Sequence, residues 1–552
     1  MKCVLTPLSI AVTVISMFAL AACGSSRSST PPTVPPPPPP PSSFTISGTV
    51  VNLAGTGGGL VLQDNLSESL AVNANGSFTF AATVTSGGSY SVSISVQPTN
   101  PEQTCGVSNG SGEATADVTN IEINCGHDEW TWAKGPNTAT NNGVYGTPGV
   151  AATSNNPGGR QAPVSWTDAS GDLWLFGGYG LDSAGTLLPM NDVWKYSAGQ
   201  WTWEGGSNIG GQKGTYGVLG NSAMTNIPGA RMQAVSWTDA SGDLWLFGGL
   251  GYDSVGTEAS LNDLWKYSAG EWTWMGGSNL ANQKGTYGTL GSAASSNIPG
   301  ARCEAVSWID SSGDFWLFGG LGYDSSGTRA PLNDLWIYSN GEWTWESGSE
   351  LVNQSGVYGT QGVAAPGNVP GARFGNVSWR DRTGNLWLFG GTGFASSAVS
   401  GTLNDLWKYR NGEWTWMSGS SAVNGLAVYG VEGIPAAGNV PGPRQNPVSW
   451  TDLSGNLWLM GGSGKDSATE FGLLNDLWKY RNGEWTWVSG SDLSNQDGTY
   501  GTQGTPSLGN IPGGRFDMIS RRDVNGNLWL FGGFGIASGP PGNLSDLWMY
   551  LP

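Results

Sequence analysis

The chain has 552 residues with 89 Gly, 31 Pro and 29 Trp, but only 12% charged residues and one His; it is too long for one ordinary domain and too Trp-rich for a disordered chain. A formal net charge of -18 repels phosphate backbones, which argues against nucleic acid as a partner. With His127 the single imidazole, catalysis by several histidines around a metal is excluded, and the sequence points to no metal and no cofactor.

In chain order, Lys2 precedes an apolar run from Ile10 to Ala22 that is too short to span a bilayer and reads as a secretory signal over residues 1–22. The run ends Leu20-Ala21-Ala22-Cys23, which resembles the lipobox of bacterial lipoproteins. The resemblance implies an acylated Cys23 at the mature N-terminus, with Gly24 favouring the outer membrane of the cell envelope. Residues 23–43 are mostly Ser, Thr and Pro, with seven prolines from Pro35 to Pro41, and are expected to form a polyproline spacer rising about 3.1 Å per residue.

Residues 44–126 alternate apolar and polar side chains in short runs, as in Tyr90-Ser91-Val92-Ser93-Ile94, broken by Gly and Asn. This predicts a small antiparallel β-sandwich of immunoglobulin-like type. Cys105 and Cys125 are its two cysteines, and in an exported chain they are expected to pair. Cys303 is left unpaired and reads as a buried small apolar residue.

Residues 127–552 repeat. The segment Leu-Trp-Leu-Phe-Gly-Gly places its aromatic or Met at Phe176, Phe247, Phe318, Phe389, Met460 and Phe531, each 71 residues after the last. The Arg of Pro-Gly-x-Arg and the first Trp of Trp-Thr-Trp keep the same interval, and all 29 Trp fall inside the repeat. Each unit reads as four strands, in the first unit Val164 to Trp166, Leu173 to Gly178, Val193 to Tyr196, and Trp201 to Trp203. With a double Gly ending the second strand, a Tyr in the third and a Trp in the fourth, the chain resembles the kelch repeat family. The resemblance implies an all-β fold, a six-bladed kelch-type β-propeller preceded by the small sandwich. Trp130 to Trp132 lacks preceding strands and the last copy stops after Tyr550, so the two fragments are expected to complete one blade and close the ring.

Strand order puts the first-to-second and third-to-fourth turns on one face. The second-to-third loop, such as Tyr179 to Asn191, and the fourth-to-first loop, such as Gly205 to Arg231, lie on the other and are expected to crowd the channel mouth. What recurs in every copy reads as frame: the tryptophans as core, and the Tyr-Gly step at Tyr145 and its equivalents as a loop anchor. Two readings stand for Arg160, Arg231, Arg302, Arg373, Arg444 and Arg515. They either point into the mouth, where they could hold a carboxylate or sulfate, or pair with the Asp that opens each third strand, Asp192, Asp263, Asp334, Asp405, Asp476 or Asp546. Acidic turns such as Asp168 to Asp172 hint at calcium but lack its ligand count.

Just after each Arg the copies differ, giving Gln161, Met232 with Gln233, Cys303 with Glu304, Phe374 with Asn376, Gln445 with Asn446, and Phe516 with Asp517. These positions start the innermost strand and either form a composite pocket or are solvated positions free to drift.

Three functional readings follow. The first is a non-catalytic binding lipoprotein whose loop face takes a glycan or an envelope protein. The second is a sugar-ring isomerase resembling the kelch-type sialic acid mutarotases, with Glu304 or Asp517 as acid/base and Arg302 or Arg515 on a substrate carboxylate. The third is a structural envelope component. A copper oxidase of the galactose oxidase family is excluded, because its two histidine ligands cannot be supplied.

Overall fold

The computed structural model describes residues 43–552 except 52, 54–58, 66, 99–104, 126–128, 169 and 524–525. The signal-like segment, Cys23, the proline run and His127 lie outside the described residues.

The N-terminal unit is a β-sandwich of two four-stranded sheets. One orders Gly76–Thr85, Ser43–Val51, Val118–Asn124 and Gly106–Ser108; the other orders Glu68–Val72, Leu60–Asp64, Ser89–Val96 and Ser111–Glu113. Alternation drives Ile46, Leu60, Leu62, Phe80, Ile121 and Ile123 into the shared core. Two features depart from an all-antiparallel immunoglobulin pattern. The first and last strands of the unit pair in parallel. The Cys105–Cys125 disulfide joins neighbours in one sheet, continuing the Gly106↔Asn124 register, whereas the immunoglobulin bridge crosses between sheets. Replacing both cysteines with Ser is expected to cost the sandwich roughly 3 kcal/mol, from a loop of 20 residues. All 29 tryptophans lie in the repeats. Circular dichroism should therefore report an earlier sandwich transition while the tryptophan-detected one stays put.

From Glu129 onward the strands form six blades around an axis. In the first blade the inner strand is split into Arg160–Gln161 and Val164–Thr167, followed by Leu173–Leu181, Leu187–Ser197 and Gln200–Gly205 in antiparallel order. Each inner strand neighbours the next, and Ile519–Arg522 of the sixth neighbours Val164–Thr167 of the first, so the ring closes at six. Serine hydroxyls stitch successive inner strands together, Ser307 Oγ donating to Ser236 O at 3.1 Å and Ser378 Oγ to Ser307 O at 3.1 Å. At five of the six junctions the first Trp of a fourth strand packs on a second-strand Phe of the preceding blade, as Trp201 on Phe531 and Trp272 on Phe176, with ring centroids 5.3 and 5.1 Å apart, and at the sixth Met460 takes the place of the Phe beside Trp130. The seam is closed by Glu129–Lys134, which pairs antiparallel with the C-terminal Leu547–Leu551 and supplies the sixth blade's outer strand.

Two expectations about loops are corrected. In the first blade the Gly-Gly pair does not end the second strand, because Gly177 and Gly178, at φ 66° and 93°, absorb a register shift and the strand continues to Leu181. The second-to-third connection therefore shrinks to a hairpin at Asp182–Thr186, held by Asp182 Oδ1 accepting from the amides of Ala184 and Thr186. The fourth-to-first loops do not crowd the mouth either. Each drapes over the next blade's outer strand, with Gly220 N donating to Trp274 O at 2.8 Å and Ala223 bridging to Trp272.

The sandwich meets the propeller at Gly106, which abuts Asn527 and Leu551. Those residues sit in a first-to-second turn and at the end of a third strand, on the face opposite the hairpins and draped loops.

Candidate functional site

The six arginines are not in the mouth. Arg160 donates from Nη1 and Nη2 to Asp192 Oδ1 and Oδ2 at 2.7 and 2.8 Å, and both side chains are fully buried. Tyr145 Oη and Trp194 Nε1 each donate to the same Asp192 Oδ2 at 2.7 Å. Arg231, Arg302, Arg373, Arg444 and Arg515 repeat the arrangement with Asp263, Asp334, Asp405, Asp476 and Asp546. The Tyr belongs to the draped loop, so one carboxylate joins inner strand, third strand and loop. Arg160 Nε and Nη1 also donate to Gly158 O and Gly177 O, so these six guanidinium groups are held inside the frame and are not offered to a ligand. The acidic turns are likewise self-satisfied: Asp168 Oδ1 accepts from the amides of Ser170 and Asp172, and Lys195 pairs with Asp172 at 2.7 Å.

Two residues after each Arg the inner strand breaks. Ala162, Gln233, Glu304, Gly375, Asn446 and Asp517 all take the left-handed conformation, with φ between 50° and 64°. Their backbones form a closed ring across the six blades. Gln233 N donates to Ala162 O at 3.0 Å, Glu304 N to Gln233 O at 3.0 Å, Gly375 N to Glu304 O at 3.1 Å, Asn446 N to Gly375 O at 2.6 Å, Asp517 N to Asn446 O at 3.1 Å, and Ala162 N to Asp517 O at 2.7 Å. Left-handed φ is costly for Ala, Gln and Glu and persists here because the ring over-determines it. The repeated glycines make the kink possible: a Cβ at Gly178 would stand 2.9 Å from Gln161 O, and one at Gly177 2.8 Å from the next blade's Arg231 O.

Around this ring lies an axial cavity of about 150 Å³, lined by the ring residues and by the six that follow them, Pro163, Ala234, Ala305, Asn376, Pro447 and Met518. The structure thus brings Gln233, Glu304, Asn376, Asn446 and Asp517 together. Gln161, Met232, Cys303, Phe374, Gln445 and Phe516 sit one residue earlier and do not line it. Cys303 is buried, and burial pushes its thiol up to about 12, so it is inert at neutral pH. Burial pushes Glu304 up to about 7; the side chains of Asn446 and Gln233 hydrogen-bond to it and partly offset this. Asp517 is pushed up to about 8 by burial and by the Glu304 charge, with the same two amides opposing. Sequence reasoning missed a second, open hollow of about 580 Å³ beside the first and second blades, lined by Glu204, Lys213, Met224 and Trp272 among others.

Because the folded chain binds these two protons more tightly than the unfolded chain, their contribution is complete below the ordinary carboxylate range near pH 4 and is lost as pH rises through 7 to 8. The Glu304→Gln/Asp517→Asn variant should therefore match the parent's melting temperature at pH 4. At pH 8.5 it should be the more stable of the two by several kcal/mol. Melting curves across that range check it.

No family model matches the chain, and no curated protein matches it. Among solved structures it is similar to YjhT, at TM-score 0.41 and 14% identity over 71% of this chain and 95% of that one. It is also similar to a copper-bound fungal alcohol oxidase of the AA5 family, at TM-score 0.39 and 13% identity over 74% and 77%. A third match is a protein of unknown function from Dyadobacter fermentans, at TM-score 0.38 and 10% identity over 72% and 96%. By its own strand pairing the chain is an all-β protein, a six-bladed kelch-type β-propeller behind a small β-sandwich.

Proposed function

We propose that this chain is a non-catalytic binding lipoprotein, anchored in the outer membrane of the cell envelope through acylated Cys23, whose propeller mouth recognises a glycan or an envelope protein. The observation that carries the reading is the division of labour among the copies. Side chains repeated six times are buried in one another, whereas those that differ from blade to blade converge on the axial cavity. Carboxyl and amide groups gathered in one hollow are the donors and acceptors that bind hydroxyl-rich ligands. The sandwich abuts the opposite face, at Asn527 and Leu551, so a tether leading from it would leave the mouth pointing away from the membrane. A glycan array tests the reading: binding by the parent and its loss in Glu304→Gln/Asp517→Asn support it. Silence on the array and in an envelope pull-down would leave a structural role. Cys23→Ala should release the protein from the membrane fraction.

One observation favours a second reading, a sugar-ring isomerase. Glu304, pushed up to about 7, suits an acid/base working near neutrality. The arginine arm of that mechanism has no counterpart, since Arg302 and Arg515 are buried in ion pairs. Anomeric exchange of sialic acid followed by NMR decides it, and a rate equal to buffer eliminates the enzyme.

A further inference from the structure

One guanidinium stands outside the buried frame. Arg329 opens the third strand of the third blade, beside the Asp324–Thr328 hairpin on the mouth face, and is exposed. The equivalent positions of the first, second, fourth and fifth blades hold Leu187, Glu258, Ser400 and Phe471, so the frame does not require a cation there. The side chain is nonetheless held. Its Nε donates to Ser260 Oγ of the second blade at 3.1 Å, and its Nη2 lies 3.9 Å from Cys303 Sγ. Both partners are uncharged and buried. Among the described residues no carboxylate forms an ion pair with Arg329, although the chain carries a net charge of -18. Glu258, the acid on the neighbouring hairpin, is hydrogen-bonded to Tyr252 instead. The Nη1 edge of the fork is thus left without a protein partner among the described residues, in the planar geometry that matches an oxyanion.

This guanidinium overlooks the axis. Cys303 precedes Glu304, which lines the axial cavity and feels the Arg329 charge. At pH 6 burial keeps Glu304 and Asp517 protonated, so the axis sets no fixed negative charge against an incoming anion. An independent feature points to the same opening. Phe374 and Phe516 stand one residue before the backbone ring on its mouth side, both only half-buried, and Phe516 meets Phe534 with ring centroids 5.6 Å apart. The other copies carry Gln161, Met232, Cys303 and Gln445 there, so the blades do not demand these aromatic faces as core.

We propose that the mouth takes an acidic saccharide, whose carboxylate or sulfate group pairs with the open edge of Arg329 while its hydroxyls meet the axial amides and a sugar face lies on Phe374 or Phe516. The inference rests on the recognition reading above and names its ligand class.

A glycan array probed with the full chain at pH 6 tests it, using uronate oligosaccharides beside their methyl esters and sulfated oligosaccharides beside their desulfated forms. The expected result is binding to acidic members at least about tenfold tighter than to their neutral counterparts. Hits among the uronates assign the group as a carboxylate, and hits among the sulfated members assign it as a sulfate ester. Arg329→Gln should bring acidic members down to the level of the neutral ones with the melting temperature unchanged. Arg410→Gln, an exposed arginine on the opposite face, should leave the preference intact. Phe516→Ala should weaken acidic and neutral members alike. Neutral members bound as tightly as acidic ones, or an acidic preference that survives in Arg329→Gln, would overturn the proposal and leave recognition of a glycan standing. A silent array would overturn both.

Discussion

Asp334→Asn is expected to destabilise the propeller by about 3–5 kcal/mol, the cost of stranding one partner of a fully buried ion pair. Asp334 Oδ1 and Oδ2 accept from Arg302 Nη1 and Nη2 at 2.7 and 2.8 Å. Oδ2 also accepts from Tyr287 Oη at 2.6 Å and Trp336 Nε1 at 2.8 Å. An amide of the same shape can accept at only one of those two atoms and turns an NH2 group toward donors at the other. It also leaves the Arg302 guanidinium buried without a counter-charge, at 1% exposure. Because Tyr287 belongs to a loop crossing from the preceding blade, the damage should spread to the blade junction. Tryptophan-detected denaturant melts measure it. A loss under 1 kcal/mol would mean the network is decoration. Glu304, two residues beyond Arg302, belongs to the cavity, and its replacement by Gln should cost no stability at neutral pH.

Trp130→Ala should cost a similar amount, about 3–5 kcal/mol, with a different kinetic signature. Trp130 is 2% exposed, lies against Tyr550 at 4.9 Å and edge-on to Trp548 at 6.4 Å. Asn510 Nδ2 also donates to its carbonyl at 3.0 Å. The same Trp in other blades, such as Trp272, sits in a strand covalently continuous with its own sheet. Only at the seam does an N-terminal strand hold a blade whose other strands are C-terminal. Loosening it opens an edge on both sides. Hydrogen exchange should therefore show Leu547–Leu551 and Leu528–Phe531 losing protection first in Trp130→Ala, and uniform protection across the blades in that variant would contradict the closure.

The blade count and the seam were legible because a 71-residue period and two unmatched fragments are arithmetic facts of the chain. The buried network was legible as one of two readings for the arginines. Their recurrence together with an Asp 31 or 32 residues on favoured pairing, but burial decides it, and burial is a property of the assembled ring. The hairpin at Asp182–Thr186 was misread because Gly177 and Gly178 look like a strand terminator, whereas at positive φ they form a bulge that lets the strand go on. The cavity residues could be listed from their variation alone. Their convergence could not be foreseen, since it depends on Gln233, Glu304 and their equivalents adopting left-handed backbone that sequence gives no reason to expect of Gln or Glu. The pairing of Glu304 with Asp517 across the axis was available in principle, because the two are three repeats apart in a ring of six. The parallel pairing that closes the sandwich carries no local signal at all, since strand direction is set by topology.

The repeated side chains build the wheel, and the unrepeated ones at its axis are proposed to bind. Glu304→Gln/Asp517→Asn examined side by side for melting temperature at pH 7 and for array binding tests it most directly. The expected result is a melting temperature equal to or above the parent's together with loss of binding. Binding retained at the parent's level would contradict it.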